Sequence, residues 1–341
     1  MPFSHNPIHP DQIKKAWPHT NFNRSLQDLW TTLQDPRVPR DGIPPLDRPS
    51  FTSADTLSSY IDREEAMIVI EGESEVRAYP VDDVMLHEIV NDYIDKVPVA
   101  VTFCPLCNSA IVFKRIVQER VLRLGVSGML RNNDLIIWDD QTESWWQQFT
   151  GEAIAGDYYG QQLEMVPSLI LAYEQVLDRY PQASILVRTE EDPLPPAHQT
   201  GDFKQRGPKM VDTSKVIAAH IDGTPVAFRF ESLKEKKVLT TIINEKRYVV
   251  FFNEKVKDMG IERKEIQGQA FMYEARLNEK SLTFEVGSDG ILFDVETSTK
   301  WSIYGEAVEG QLEGSHLNKV TTYPHFKAPW FKFYPNSIYI Q

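Results

Sequence analysis

The chain contains an internal repeat, and a repeat restricts the fold to two similar halves. Residues 151–163 open with Gly-Glu-Ala and carry glycines at 151, 156 and 160, and the same spacing returns in residues 305–317, with glycines at 305, 310 and 314. The correspondence continues to the Tyr-Pro steps at 180–181 and 334–335, and Asp139 and Trp146 recur as Asp294 and Trp301. Because glycines and aromatic residues set turns and packing, this pattern predicts two tandem copies of one structure.

Each predicted copy opens with an apolar run that ends in a glycine turn, at residues 68–72 and 219–223, and such runs are typical of strands. A helix-like segment precedes the Tyr-Pro step of the first copy. We therefore predict a strand-rich α+β fold made of two similar repeats, the second degenerate. The predicted order is a helical and extended arm at 1–60, the first repeat at 61–187, a linker rich in proline, glycine and charge at 188–212, and the second repeat at 213–341.

The only two cysteines of the chain, Cys104 and Cys107, lie in the sequence Phe-Cys-Pro-Leu-Cys-Asn at residues 103–108. Apolar runs at 97–103 and 109–115 flank them and predict two strands, so the cysteines are expected at the tip of a β-hairpin. Pro105 fixes its own φ in such a turn, and Asn108 tolerates the left-handed conformation. A hairpin tip converges two thiolates on one metal ion, whereas a thioredoxin-like redox site would need a helix after the second cysteine.

Two thiolates form half of a tetrahedral metal site, so other ligands are needed. Of the eight histidines, His87 is the candidate, because it lies in the segment 85–92 that leads into the cysteine-bearing strand. Helical spacing through that segment would place His87 and Asn91 on one face. The alternative is a histidine that fills a crevice or caps a helix.

The second copy lacks these candidate ligands together. Phe252 and Asn253 occupy the position of Phe103 and Cys104, no cysteine follows, and His87 falls near Lys237. A joint loss favours a shared site over separate packing roles. We therefore predict that Cys104, Cys107 and His87 hold a metal ion in the first copy only.

The segment 125–134 reads Gly-Val-Ser-Gly-Met-Leu-Arg-Asn-Asn-Asp and predicts a strand that ends in a tight turn, followed by a dense polar group. Asn and Asp stabilise turns through side-chain to backbone hydrogen bonds, which is the structural interpretation. The functional interpretation gives catalytic roles to Arg131 and Asp134, with Arg131 as a carboxylate clamp, alongside His87. It also assigns Asn132 and Ser127 to cofactor binding.

Four segments together resemble the bacterial domain-of-unknown-function 3179 family: residues 85–92, 102–109 and 125–134, and residues 139–145, which read Asp-Asp-Gln-Thr-Glu-Ser-Trp. The resemblance covers about residues 42–187, and the degenerate second half is similar to the weaker C-terminal half of that family. The family usually has glycine where Asn108 stands and an aromatic residue where Leu86 stands. The resemblance implies membership and no particular reaction. Members often carry an export signal, which the opening residues of this chain do not show.

Acidic residues outnumber basic ones, 49 Asp and Glu against 36 Lys and Arg, which gives a formal net charge of −13. Nucleic acid and anionic membrane surfaces are therefore excluded as partners on electrostatic grounds, and a small-molecule substrate is expected. Without a signal peptide or a long apolar run, the expected compartment is the cytoplasm, or the periplasm if a leader has been removed.

Three function classes remain open. The favoured one is a metalloenzyme, with oxidoreductase chemistry ahead of hydrolysis, in which one copper, zinc or iron ion is held by the two cysteines and His87. The second is a structural metal knuckle or ligand-binding module. The third is a thiol-disulfide redox protein, which requires an accessible thiolate of low pKa.

Overall fold

The computed structural model describes residues 8–36, 38–57, 61–193, 213–259 and 268–341. They form two compact units, one of the described residues up to 213 together with Met259, and one of the other described residues from 214 onward. The fold is strand-rich α+β, as predicted. Of the predicted linker, residues 194–212 lie outside the described residues. No helix in the described part of the chain is long and apolar enough to cross a lipid bilayer.

The first unit combines short helices with many strands. Its α-helices in the described residues are α1 (Pro10–Ala16), α2 (Leu29–Thr32), α3 (Val81–His87) and α4 (Tyr173–Arg179), and a 3-10 helix spans Ala54–Leu57. Its strands are β1 (Leu33–Gln34), β2 (Ser50–Ser53), β3 (Ala66–Glu71), β4 (Val76–Pro80), β5 (Ile89–Ile94), β6 (Val97–Cys104), β7 (Ser109–Lys114), β8 (Ile116–Val117), β9 (Arg120–Val121), β10 (Leu124–Arg131), β11 (Asp134–Asp139), β12 (Trp145–Gln147), β13 (Ala153–Ala155), β14 (Met165–Val166), β15 (Leu169–Ala172) and β16 (Ser184–Val187).

These strands form three larger sheets and a two-stranded ribbon, with the orders β15-β3-β4-β16-β2, β14-β7-β6-β5, β1-β10-β11-β12-β13 and β8-β9. Strands β6 and β7 are mostly apolar, and β5, β6 and β7 are almost completely buried. Their antiparallel register pairs Cys104 with Ser109 at the end of the β6-β7 hairpin. The second of the larger sheets therefore carries the cysteines, and the third carries Asp134.

The N-terminal arm packs on the sheet that contains β10 to β13. Ile13, Trp17 and Leu29 of the arm share a core with Trp145 and Ile154 of that sheet, and other members of this core are Leu33, Met129, Ile136, Trp138 and Ala155. The Arg40 guanidinium lies 3.7 Å from the ring centroid of Trp17 and 4.8 Å from that of Trp138. It also pairs with Glu143 at 2.6 Å. Burial of these aromatic rings stabilises the arm against the sheet.

The second unit has its own set of elements. Its helices are α5 (Phe230–Lys236) and α6 (Lys327–Phe333) in the described residues. Its strands are β17 (Lys215–Ile221), β18 (Thr224–Arg229), β19 (Val238–Ile243), β20 (Lys246–Asn253), β21 (Gln269–Glu274), β22 (Arg276–Leu277), β23 (Lys280–Ser281), β24 (Phe284–Val286), β25 (Leu292–Asp294), β26 (Lys300–Trp301), β27 (Ala307–Glu309), β28 (Lys319–Val320), β29 (Tyr323–Phe326) and β30 (Ile338–Ile340).

Its sheet orders are β29-β17-β18-β30, β19-β20-β21-β28, β24-β25-β26-β27 and β22-β23. Apart from β1 and β2, which extend two sheets of the first unit, the strand orders of the two units match element by element. The core of the second unit includes Phe228, Leu233, Val250 and Met272, contributed by β18, α5, β20 and β21.

Candidate metal centre

The cysteines lie at the tip of a β-hairpin, as predicted. Strand β6 ends at Cys104, β7 begins at Ser109, and the residues between them form the turn. Asn108 has a φ of 51°, which is the left-handed conformation that the turn requires, and the amide of Cys107 donates a hydrogen bond to the carbonyl of Cys104 at 3.2 Å. Because a strand and not a helix follows Cys107, the geometry differs from that of a thioredoxin-like site.

A carboxylate completes a group of three potential ligands. The two Sγ atoms of Cys104 and Cys107 and one carboxylate oxygen of Asp134 lie within 4.8 Å of one another, and all three residues are buried. Asp134 is the first residue of β11 and comes from a different sheet than the cysteines. Two soft sulfurs and one hard oxygen at this spacing form a donor set suited to a transition-metal ion.

Hydrogen bonds hold the Asp134 carboxylate in place. Its Oδ2 accepts hydrogen bonds from the Gln147 Nε2 at 2.6 Å and from the Phe149 amide at 2.9 Å. Its Oδ1 is buried and has no hydrogen-bond partner within the described ranges. The Cys107 thiol donates to the carbonyl of Asn133 at 3.3 Å. The carboxylate is therefore oriented through one oxygen while the other remains available.

Burial disfavours the charged form of every acid in this region. It raises the pKa of Cys104 and raises that of Cys107 well above its ordinary value. It also raises the pKa of Asp134 to about 6 and, helped by the negative charge of Asp134, that of Glu88 to about 8. The carboxylate of Asp134 adds to the effect of burial at both thiols. A bound cation would reverse these shifts by stabilising the anionic forms.

His87 lies close by in sequence and fold but is not a member of the group of three. It is the last residue of α3 and is fully buried. Its Nδ1 lies 2.9 Å from the carbonyl oxygen of Pro44, and its Nε2 is buried with no partner in the part of the chain that is described. The helix ends here because Glu88 takes the left-handed conformation, with φ at 57°.

The predicted helical relation between His87 and Asn91 is therefore wrong, since Asn91 belongs to β5. The Asn91 amide group donates to the carboxylate of Asp47 at 2.7 Å and to the carbonyl of Leu124 at 2.8 Å. These bonds connect β5 to the neighbouring segments, and Asn91 has a structural role.

The other predicted site residues form local contacts. The Arg131 guanidinium donates to the Thr32 hydroxyl at 3.1 Å and pairs with Asp28 at 3.3 Å, both in the N-terminal arm. The Ser127 hydroxyl accepts a hydrogen bond from the Met129 amide at 3.0 Å.

Strand β10 also continues beyond the expected end, through a bulge between Val126 and Leu130. The tight turn lies at Asn132 and Asn133, with φ values of 55° and 63°, and not directly after the glycines. Paired left-handed residues suit a two-residue hairpin turn, which explains the choice of two asparagines. The structure thus brings Asp134 to the cysteines and uses Asn132 to turn the chain toward it.

Two residues near the cluster were not predicted from sequence. Glu88 is buried beside Asp134, and Gln147 holds the Asp134 carboxylate. The signal for Gln147 was its position with Gln148 between Trp146 and Phe149, where two amides interrupt an aromatic run. Glu88 had no comparable signal. The sequence predicts a helix through the segment 85–92, and in such a helix the Glu88 side chain would point in a different direction from the one that the structure shows.

The family comparison covers both units. The model of one protein family, described as a protein of unknown function (DUF3179), matches residues 40–337. No curated protein and no solved structure matches the chain.

Proposed function

The chain belongs to the DUF3179 family, and from that premise we propose that its first unit binds one transition-metal ion through Cys104, Cys107 and Asp134. The observation that carries the proposal is the approach of two cysteine sulfurs and one carboxylate oxygen to within 4.8 Å in a buried region. The family description names no reaction, so the proposal depends on the site alone.

Charge balance supports a metal ion at this place. Thiolates and carboxylates are costly to bury unless a positive charge compensates them. Burial raises the pKa values of Cys104, Cys107 and Asp134, so their charged forms are uncompensated without a bound cation. A metal ion supplies that charge and holds the ligands deprotonated, so metal binding would stabilise the folded unit.

The donor set favours zinc or iron over copper. Zinc accepts cysteine, histidine and carboxylate ligands in a tetrahedral arrangement, and iron accepts the same mixture. Cu(I) prefers a coordination shell made only of soft ligands such as thiolates. The hard carboxylate oxygen of Asp134 therefore disfavours Cu(I) at this site. Three protein donors leave one tetrahedral position for His87 Nε2, for water or for a substrate.

The identity of the fourth ligand decides whether the metal ion is catalytic or structural. If water or a small molecule takes that position, the site supports metal-dependent chemistry: an oxidoreductase with iron or copper, a hydrolase with zinc. We favour the oxidoreductase with a small-molecule substrate. A structural metal is the second candidate, and the burial of all three donors supports it. In that case His87 closes the coordination shell.

We also propose that the two units are tandem copies and that the second has lost the site. Matching strand orders support the duplication. In the second unit Asn253 ends β20, where Cys104 ends the equivalent β6, and the left-handed residue after α5 is Lys237, where Glu88 follows α3. Loss of a thiol and reversal of a charge at equivalent positions support a site confined to the first unit.

The test is elemental analysis of the full chain purified without added metal or chelator, together with a free-thiol count. We expect about one zinc or iron ion per chain with both thiols protected. Cys104→Ser, Cys107→Ser and Asp134→Asn should each lower the metal content of the purified chain. Asp294→Asn is the matched control, because Asp294 accepts hydrogen bonds from Thr297 and Trp301 in the second unit. A metal-free protein whose two thiols titrate readily and form a reversible disulfide would overturn the proposal in favour of thiol redox chemistry.

A further inference from the structure

Several buried polar atoms around the cysteine hairpin have no hydrogen-bond partner among the residues that the structure describes. They are His87 Nε2, Asn108 Oδ1, Ser109 Oγ, Asp134 Oδ1, Gln147 Oε1 and Gln148 Oε1. Buried polar groups in native proteins are nearly always satisfied, and each unsatisfied one is costly. Their concentration beside one hairpin points to an occupant that satisfies them.

The orientation of these groups follows from their partners. Gln147 Nε2 donates to the Asp134 carboxylate at 2.6 Å, and Gln148 Nε2 donates to the Ser109 carbonyl at 3.2 Å. Because a carboxylate and a carbonyl only accept, both amides are fixed with Oε1 as the unsatisfied atom. The same reasoning makes His87 Nδ1 the donor to the Pro44 carbonyl, so in the neutral ring Nε2 carries a lone pair.

These acceptors lie next to the proposed metal ligands. Ser109 pairs with Cys104 across the hairpin. Gln148 contacts Ser109 and also the Thr102 hydroxyl, at 2.9 Å, two residues before Cys104. Gln147 contacts Asp134 directly. The cluster is therefore bordered by hydrogen-bond acceptors, with the Ser109 hydroxyl as the group that can either donate or accept.

We propose that the substrate of this centre is a small, neutral molecule rich in hydrogen-bond donors, a hydroxyl or amino compound of a few heavy atoms, held by Ser109 Oγ and Gln148 Oε1 beside the ion. This inference rests on the proposed metal site. The molecule is small because Ser109, Gln148 and Cys107 are completely buried. Simple anions are disfavoured, because every unsatisfied atom except Ser109 Oγ can only accept a hydrogen bond, and the lone pairs of these acceptors repel a negative charge.

The test uses the full chain loaded with Co(II), whose visible absorption bands respond to the ligands of the ion. Hydroxylamine is the neutral donor probe and azide is the anionic probe, titrated separately. We expect hydroxylamine to shift the bands and azide to bind at least about 10-fold more weakly, which corresponds to one lost hydrogen bond. Equal affinity for the two probes would overturn the inference while leaving the metal site intact.

Ser109→Ala is the decisive variant, because it removes a hydroxyl that has no partner within the described residues. We expect about 10-fold weaker hydroxylamine binding with no loss of thermal stability. Ser144→Ala is the control: Ser144 is equally buried, but its hydroxyl accepts a hydrogen bond from the Tyr158 amide at 3.1 Å. The control should lower stability and leave hydroxylamine affinity unchanged.

Failure of the wild-type chain to bind Co(II) would overturn the proposed function. If Ser109→Ala instead binds hydroxylamine as tightly as the wild type does, only the present inference is overturned.

Discussion

His87 Nδ1 donates a hydrogen bond to the carbonyl oxygen of Pro44 across 2.9 Å. The carbonyl cannot donate, so this contact fixes the neutral tautomer and leaves the lone pair on Nε2, which is buried. Metal-binding histidines are usually held in this way by a backbone carbonyl or carboxylate on the other ring nitrogen. His87 Nε2 lies outside the group of three but keeps a lone pair that can bind a metal ion, so a test of His87 decides between a closed and an open coordination shell.

The first prediction concerns His87→Ala. If Nε2 completes the coordination shell, this substitution should weaken zinc binding by about 10- to 100-fold or more, the range found when even a supporting contact of a metal ligand is removed. The measurement is a competition titration against a chromophoric chelator. His220→Ala in the second unit is the control and should bind zinc as the wild type does. Unchanged affinity in His87→Ala would assign the fourth position to water or substrate.

The second prediction compares two buried aspartates of β11. Asp134→Asn keeps an oxygen that accepts from Gln147 and Phe149 but loses the charge, so the metal-free protein should stay folded while zinc affinity falls at least about 10-fold. Asp139 instead accepts hydrogen bonds from Trp146 Nε1 at 2.9 Å and from the Thr142 amide at 2.8 Å. Asp139→Asn should lower the free energy of unfolding by about 1–3 kcal/mol and leave zinc affinity unchanged. Chemical unfolding and zinc titration of both variants provide the measurement.

The hairpin was predictable from sequence because its signals are local. Pro105 and Asn108 specify the turn, and the apolar runs beside them specify the strands. The family resemblance also depended on short local segments of sequence, and the match over residues 40–337 confirms it.

The partnership between the cysteines and Asp134 was not predictable in the same way. Asp134 was selected as a catalytic residue, and its place beside the two sulfurs depends on how one sheet packs on another. No local pattern encodes that distance. The end of α3 was missed for a related reason: Glu88 adopts a left-handed conformation that its residue type does not favour, so the surrounding structure imposes it.

The third prediction is a pH dependence that metal reverses. The pKa of Asp134 rises from 3.8 to about 6 and that of Glu88 from 4.5 to about 8, mainly through burial. Between these values the unfolded chain releases protons that the folded unit retains, so these groups stabilise the metal-free fold at low pH and the effect is lost as the pH rises toward 8. Metal binding requires the deprotonated ligands, so zinc affinity should increase over the same range.

Melting temperatures with chelator and with zinc, measured from pH 5 to 8.5, check this third prediction. The stabilisation by zinc should grow with pH. Glu88→Gln should flatten the profile of the metal-free protein, whereas Glu254→Gln, whose carboxylate is exposed and has its pKa lowered by Lys237, should not. A metal-free profile that rises steadily toward pH 8 would contradict the assignment of raised pKa values to the buried carboxyls.

The fourth prediction concerns Gly128. It is one of two glycines in the segment 125–134, for which the sequence allowed both a structural and a functional interpretation. Its φ is +81°, and a Cβ atom there would lie 2.0 Å from the carbonyl oxygen of Val38 in the N-terminal arm. Gly160 has nearly the same φ, +83°, but a Cβ would meet nothing within 4 Å. Gly160→Ala should therefore cost about 1–2 kcal/mol from backbone strain alone. Gly128→Ala should cost a further 1–3 kcal/mol or so, because backbone atoms of the arm must move to accept the methyl group. Urea unfolding of the two variants isolates the difference, and equal losses would mean that Val38 moves aside freely and that the arm is not held closely at this point.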